Sequence, residues 1–496
     1  MCGLLRAPMR CRGTISALSG TRPMNQPATV RWQPAIAHRP GPLYRAIAAA
    51  LAEDIGNGTL PPGTRLPTHR DLAWDLKVTV GTITRAYQEA ERQGLIGGEV
   101  GRGTFVRDPR RLVEPVVESG GGLLEMNLGL IDLSVNATAL WPDAPALTAA
   151  TQAVALRPDL VSLMSYQTPL GHHRLRAAIA DWLADSADLH VAADQVLLAV
   201  GGQGAMLTAL SAVTRPGDTL LVEQVTYPGL RAVALHLGLR LVPVAMDADG
   251  LLPDAVEQAA RSHGAHALYC MPTLQNPTTI TLSLERRRAL VEVARRIGLM
   301  LIEDDVYGFL KQPSPPTLHS LGPDVTLYVS SLSKSLFPGL RTGFIVGPRP
   351  LFDRLATILR ATVLAPAHLG TVVAAELIDS GEAGRIAQRR RCLVAERQSL
   401  ARTILSGLDL SGSDPAVTHL WLPLPETVRR DELVRGALER GVKITAADGF
   451  GVGRGEVPNA VRICLMGVDH SAQLEKGLSV LDGLISNPVA SASAWV

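Results

Sequence analysis

Apolar positions change their spacing along the chain, and the changes mark where elements begin and end. Leu43, Ile47, Ala50, Leu51 and Ile55 recur at helical spacing until Gly56, Gly58 and Pro61-Pro62-Gly63 break the run. Arg70 to Leu76 predicts a short second helix. Thr79 is placed to cap a third, with Ile83, Ala86, Tyr87 and Ala90 on its inner face and Gly94 at its end. The segment "LIGGEVGRGTFV" then predicts a two-stranded hairpin with a glycine-rich tip. From about residue 126 the texture changes. The apolar runs "QVLLAV", "DTLLVE", "LRLVPVAM", "HALYCMP", "LMLIED", "TLYVSS" and "TGFIVG" predict strands, with helical patterns between most of them. The first stretch predicts a small α+β module, and the second an α/β domain with a mostly parallel sheet and helices on both faces.

Between the two, "RDPRRLVEPVVESGGGLLE" has Pro109, Pro115 and Gly120-Gly121-Gly122 and no periodicity. It reads as a linker over 108–125, either a hinge between two rigid bodies or a plain tether. Residues 1–37 hold five arginines and no acidic residue. They are expected to be a disordered basic tail, or partly an extension ahead of a true start at Met24. The expected organisation is a tail over 1–37, a first domain over 38–107, the linker, and a second domain over 126–490.

Composition narrows the function classes. The formal net charge is only +2, so any nucleic-acid site is local rather than a global basic field. Cys2, Cys11, Cys270, Cys392 and Cys464 have neither metal spacing nor a disulfide framework, which fits a reducing cytoplasm. No apolar run reaches the roughly 18 residues that a bilayer requires, so no membrane span is expected. No apolar core follows Arg6, Arg10 and Arg12, so no signal peptide is expected. Lys77, Lys311, Lys334, Lys443 and Lys476 are the only lysines. A lysine inside a motif therefore says more here than an arginine does.

Helix, short helix, helix and hairpin is the order of a winged helix-turn-helix, whose third helix enters the major groove by its N-terminal side chains. Thr79, Thr82 and Arg85 would face double-stranded DNA, with Arg70 and the wing tip at Arg102 and Gly103 on phosphates or in the minor groove. The motifs "PPGTRLPTHRDLA", "TITRAYQEAERQGLI" and "GRGTFV" resemble the GntR-type DNA-binding domain, which implies operator binding. One position departs: where that family often has an arginine after the capping residue, this chain has Val80 and then Gly81. Residues 38–107 carry nine Lys/Arg against seven Asp/Glu. That balance also suits a helical interaction domain without DNA binding.

In the second domain, chemistry-bearing segments follow predicted strands, where α/β sheets bind ligands. "VLLAVGGQGAMLTAL" turns from strand to helix at glycines, so Gly202 and Gln203 offer backbone N–H groups to an anion; a tight bend alone also asks for glycine. "LIEDDVYGFL" puts Asp304 at a strand end with Tyr307 three residues on; a metal pair or a solvated turn is the alternative. "YVSSLSKSLFPGLRTGF" sets Lys334 among hydroxyl residues, with Ser331 and Arg341 able to hold a phosphate. "CMPTLQNPTT" offers the Asn276 amide, or just an Asn-Pro turn, and "EQVTYPG" offers the Tyr227 ring, or a core tyrosine. "NAVRICLMG" offers Arg462 as a carboxylate clamp. Pyridoxal 5′-phosphate needs this inventory: a lysine, a carboxylate against the pyridine nitrogen, donors to the phenolate oxygen, a stacking ring and a phosphate cup.

The order of these segments resembles the type I aminotransferase family from Asn127 to Ile485. The resemblance implies that fold, with a large subdomain at about 168–350 and a smaller α+β one at about 126–167 plus 351–490. It assigns Lys334 as the Schiff-base lysine, and Ser331, Ser333 and Arg341 as its phosphate-side neighbours. Asp304, Tyr307, Asn276 and Tyr227 become the ring partners, and Arg462 the carboxylate clamp. Tyr166 in "MSYQTPLGHHRLRAAIADWL" matches a tyrosine that reaches the phosphate of a neighbouring subunit, which implies a dimer. Thr279 stands where glycine is usual, and Val306 where proline is common. The two resemblances together are those of the MocR/GabR-like regulators. They imply a PLP-dependent transcriptional regulator, a head-to-tail homodimer that senses an amino acid, a related amine or PLP itself. The alternative is a working aminotransferase with a secondary or vestigial DNA-binding domain, favoured by the "EDDVYGFL" segment.

Overall fold

The computed structural model describes residues 32, 34, 42–61, 63–92, 95–99, 103–106, 130–138, 141–366, 368–453 and 456–486. Contacts divide the chain into two compact units, one up to Pro115 and one from Val116. The expected linker at 108–125, the wing residue Arg102 and residues 1–31 of the expected tail lie outside the described residues.

The first unit has helices α1 (Leu43–Gly56), α2 (His69–Leu76) and α3 (Val80–Arg92), followed by strands β1 (Ile96–Glu99) and β2 (Gly103–Val106), paired antiparallel. Thr68 Oγ1 accepts from Asp71 N to start α2, and Thr79 Oγ1 accepts from Thr82 N at 3.2 Å to start α3. Ile47, Leu51, Leu72, Ile83, Ala86, Tyr87 and Ala90 form one core. The hairpin has a third edge that its own pattern did not reveal: Leu66 N donates to Thr104 O, and Val106 N to Thr64 O, both at 2.9 Å. The tail expectation also needs correcting at Trp32. That side chain is 3% exposed within this core, and its Nε1 donates to Asp54 Oδ2 at 2.8 Å. A lone aromatic in a polar, aperiodic segment anchors by burial, which periodicity does not report.

In the second unit the seven expected runs form one sheet: Val196–Val200, Thr219–Glu223, Arg240–Val244, Ala267–Cys270, Met300–Asp304, Thr326–Ser331 and Thr342–Val346. Numbered along the chain, their spatial order is one, seven, six, five, four, two, three. Only the seventh runs antiparallel to its neighbours. Alternate residues feed two cores on the two faces. Leu220, Val222, Tyr269 and Ile302 meet the helix Gly201–Val213 on one face, while Leu221, Leu268 and Leu301 meet Pro253–His263 and Leu284–Ile297 on the other. Cutting one such leucine to alanine costs about 2–5 kcal/mol.

A smaller α+β region has a three-stranded antiparallel sheet of His419–Pro423, Ala460–Cys464 and Thr445–Ala446, with Val442–Lys443 paired to Ile131–Asp132. Its core joins Leu420, Leu422, Val461, Ile463, Leu474 and Leu478 to Ala401 and Leu405. The division expected at 126–167 plus 351–490 does not follow the cores. Ala150, Val154, Leu163, Phe352, Leu355 and Val372 pack on the large sheet, as do Ile386 and Val394 of the helix Glu382–Ile404. That helix passes from one core to the other, so the boundary falls inside it. Helical periodicity marks a buried face but not which sheet buries it.

Candidate functional site

The strand Val196–Val200 runs directly into the helix Gly201–Val213. Gly201 has φ 66°, and a Cβ there would sit 2.5 Å from Arg341 Nη2, so the junction requires glycine. Gly201 N donates to Arg341 O at 2.9 Å. A Cβ on Gly202 would lie 3.4 Å from Ser331 Oγ, and Ser331 Oγ accepts from Ser333 N at 3.4 Å. A helix N-terminus, a serine hydroxyl and an arginine converge here, the composition of an anion cup. Gln203 Nε2 donates to Tyr227 OH at 3.0 Å, which links the cup to the half-buried Tyr227 ring.

Asp304 ends its strand, 5% exposed. Its Oδ2 accepts from Tyr269 OH at 2.7 Å, while its Oδ1 is buried with no hydrogen-bond partner. Burial pushes the carboxyl up to about 7, against the Tyr269 hydrogen bond and the Lys334 charge, which lower it. The adjacent Asp305 is engaged elsewhere, accepting from Tyr328 OH at 3.0 Å. The two acids thus diverge. Among the described residues no group of three His, Cys, Asp or Glu is placed to hold a metal ion.

Tyr307 OH accepts from Asn136 Nδ2 at 2.8 Å, and the Asn136 carbonyl accepts from Lys334 Nζ. Thr418 Oγ1 donates to Asn136 Oδ1 at 2.7 Å, and His419 Nδ1 lies 3.2 Å from Asn136 Nδ2. Burial, with the Arg462 charge beside it, holds His419 well below the usual histidine range, so the ring is neutral. Arg462 is fully buried. Its Nη1 donates to Asn276 Oδ1 at 2.9 Å and its Nη2 to Ser134 O at 2.7 Å, with the guanidinium 4.7 Å from the Phe450 ring centroid.

Three connected groups emerge: Gly202, Gln203, Tyr227, Ser331, Ser333 and Arg341; Lys334 with Tyr307; and Asn276 with Arg462. Asp304 joins them through the charge of Lys334. Tyr166 stands apart, 91% exposed. Sequence reasoning missed Asn136, Tyr269, Thr418 and His419. Only Tyr269 left a signal, a hydroxyl in an otherwise apolar buried strand. In the first unit, Arg70, Thr79 and Arg85 are exposed and Thr82 is half-buried. Thr79 and Thr82 share a hydroxyl hydrogen bond of 2.9 Å at the exposed start of α3. Gly103, at φ 117°, admits the Arg65 guanidine against its Cα.

Two family models match the chain: aminotransferase class I and II over residues 129–481, and bacterial regulatory proteins of the gntR family over 43–106. The uncharacterized HTH-type transcriptional regulator YdeF of Bacillus subtilis is 30% identical over 465 residues, covering 92% of this chain and 97% of that protein. The HTH-type pyridoxine biosynthesis transcriptional regulator PdxR of Corynebacterium glutamicum is 29% identical over 426 residues, covering 84% and 91%. Among solved structures, the α-aminoadipate aminotransferase LysN of Thermus thermophilus, complexed with N-(5′-phosphopyridoxyl)-L-leucine, has a TM-score of 0.65 at 24% identity, over 73% of this chain and 93% of that one. The last likeness is one of fold.

Proposed function

The chain belongs to the class I and II aminotransferase family, in the MocR-like branch that carries a gntR-family domain ahead of that fold, and we propose that it is a DNA-binding transcriptional regulator gated by pyridoxal 5′-phosphate and an amino-acid ligand. One observation supports this reading: a single chain joins a gntR-family domain to a class I and II aminotransferase domain in which Asp304 keeps a buried, unpartnered carboxylate oxygen.

The residues fit the cofactor at its distinctive end, because Asp304 keeps a buried carboxylate oxygen with no partner for a ring N–H to fill. In this reading Gly202, Gln203, Ser331, Ser333 and Arg341 hold the phosphate. Tyr307 and Asn276 face the phenolic oxygen, Tyr227 the ring, and Lys334 the aldehyde carbon. When bound, the cofactor supplies an electron sink for chemistry at an amino acid's α-carbon. Arg462, fixed by Asn276, Ser134 and Phe450, orients the ligand carboxylate. Asn136 keeps Tyr307 and Lys334 in register through one residue. Lys334, Asp304 and Tyr307 are the groups that would act on a bound ligand.

Thr79, Thr82, Arg85 and Arg70 meet operator DNA, with Arg102 and Gly103 at the wing. The working form is a homodimer, head-to-tail, in which Tyr166 reaches the partner's phosphate. Leu156, Val161 and Tyr166, at 85, 82 and 91% exposed, are the side chains that a second copy covers. A cytoplasmic location follows from the DNA target.

A selection of bound genomic fragments, with and without PLP, tests the reading. Discrete fragments are expected to enrich, with an enrichment that changes on adding PLP. Binding no better than to random DNA in both conditions overturns it. The set of Lys334, Asp304, Tyr307, Asn276 and Arg462 also favours a second reading, amino-group transfer to a 2-oxo acid. No transfer from any of the common amino acids, in protein that binds PLP, removes it.

A further inference from the structure

Tyr269 is the one hydroxyl-bearing residue of the strand Ala267–Cys270, and it is fully buried. In the parallel register beside Met300–Asp304, Tyr269 lies opposite Ile302. Asp304 is two residues beyond Ile302, hence on the same face and diagonal to Tyr269. An aromatic side chain spans that diagonal, and the phenol reaches Asp304 Oδ2 at 2.7 Å.

This commits one carboxylate oxygen and leaves the other, Oδ1, buried without a partner. A similar pair stands one strand over, where Tyr328 OH donates to Asp305 Oδ2 at 3.0 Å and Asp305 Oδ1 is also unpartnered. The pairs differ in the cation that acts on each acid. It is Lys334 for Asp304 and Arg287 for Asp305, so Asp304 is the acid held down by the charge of the site's lysine.

We propose that Tyr269 is a positioning residue for the cofactor: its hydroxyl pins Asp304 Oδ2, so that Oδ1 and the negative charge are presented to the pyridine nitrogen. This deepens the reading given above and rests on it. The phenol stays a donor, because burial and the Asp304 charge hold it protonated well above the usual tyrosine range. Its hydrogen bond opposes the burial that pushes Asp304 up to about 7. Without it the carboxyl keeps its proton to higher pH, and a neutral acid is a weaker partner for a ring N–H.

The test uses the full chain with Tyr269→Phe, Tyr328→Phe, Asp304→Asn and the Tyr269→Phe/Asp304→Asn double variant. PLP dissociation constants and the visible absorbance of bound PLP are followed from pH 5.5 to 9. Tyr269→Phe is expected to weaken PLP by roughly tenfold, the scale of one hydrogen bond to a charged group, and to move the acid limb of binding upward in pH. Tyr328→Phe is expected to change thermal stability and leave both readouts in place. On the Asp304→Asn background Tyr269→Phe is expected to add nothing, since it acts through that carboxylate. Unchanged affinity and pH limb in Tyr269→Phe, equal shifts in Tyr328→Phe, or additive losses in the double variant each overturn the proposal. Wild-type protein that takes up no PLP is the distinct outcome that removes the site reading and this proposal with it.

Discussion

The two units carry function in opposite ways. In the first, a core of short helices and a hairpin is closed by neighbours in sequence, and of the side chains proposed to meet DNA, Arg70, Thr79 and Arg85 are exposed and Thr82 is half-buried. In the second, the candidate side chains cluster around the buried Asn136, Asn276, Asp304, Tyr307 and Arg462 and arrive from distant parts of the chain. Asn136 and Tyr307 are 171 residues apart, Asn136 and Lys334 are 198 apart, and Ser134 and Arg462 are 328 apart. An exposed site contributes affinity contact by contact, and its single losses are small. A buried network shares partners, so one deletion strands several groups and its losses are large.

That contrast orders the expected effects. Lys334→Ala comes first: the visible absorbance of lysine-bound PLP is expected to vanish, and a retained band would mean that another residue holds the cofactor. Asp304→Asn follows, with PLP affinity expected to fall by roughly tenfold to a hundredfold, as for a lost charge-assisted hydrogen bond.

Three buried acids, Asp304 with Glu223 and Glu303, set a pH dependence. Burial pushes Glu223, Glu303 and Asp304 up to about 7 each. Unfolded carboxyls titrate near 4. Above the ordinary histidine range, where the buried and neutral His419 no longer opposes them, these acids bind more protons in the folded chain than in the unfolded one, so stability falls as pH rises from about 6.5. Cofactor-free protein is therefore expected to melt at lower temperature at pH 8 than at pH 6.5, and Asp304→Asn is expected to flatten part of the slope. A melting temperature that rises across the window breaks the assignment.

Arg462→Ala is expected to abolish the response to amino acids and to weaken PLP less than Asp304→Asn does, because the arginine is proposed to meet the ligand carboxylate and reaches the cofactor side only through Asn276. A matching loss of PLP binding would merge the two ends of the site. Smallest are the exposed contacts. Arg70→Ala and Arg85→Ala are each expected to weaken operator binding by about fivefold to tenfold and to lower the salt slope by about one, with PLP binding untouched. Gel shifts at two salt concentrations check this.

Legibility followed the same division. Periodicity found α1, α2, α3 and the hairpin because each is held by nearby residues, and it found all seven strands of the large sheet. It missed the edge at Thr64–Leu66 and the anchor at Trp32, which depend on pairing and burial rather than on repeat. Within the site, most residues proposed from the sequence end a strand or sit in a glycine-, proline- or hydroxyl-marked turn just after one, where chemistry leaves a local trace, while Arg462 lies inside a strand. Asn136 and His419 leave none. One lies in a short irregular strap and the other starts a small-sheet strand, and only the closing of that strap against Tyr307 and Lys334 joins them. The subdomain boundary was misread for a related reason, since the helix Glu382–Ile404 has one continuous apolar pattern but two cores.

The central claim is that one lysine couples the cofactor to DNA binding, which requires PLP to bind two states of the chain unequally. A fluorescence anisotropy titration of the selected operator fragment by wild-type and Lys334→Ala protein, each with and without PLP, tests it most directly. The expected result is an operator dissociation constant that PLP shifts by about fivefold or more in the wild type and leaves unchanged in Lys334→Ala. Equal operator affinity with and without PLP, in wild-type protein whose absorbance shows bound cofactor, would contradict it.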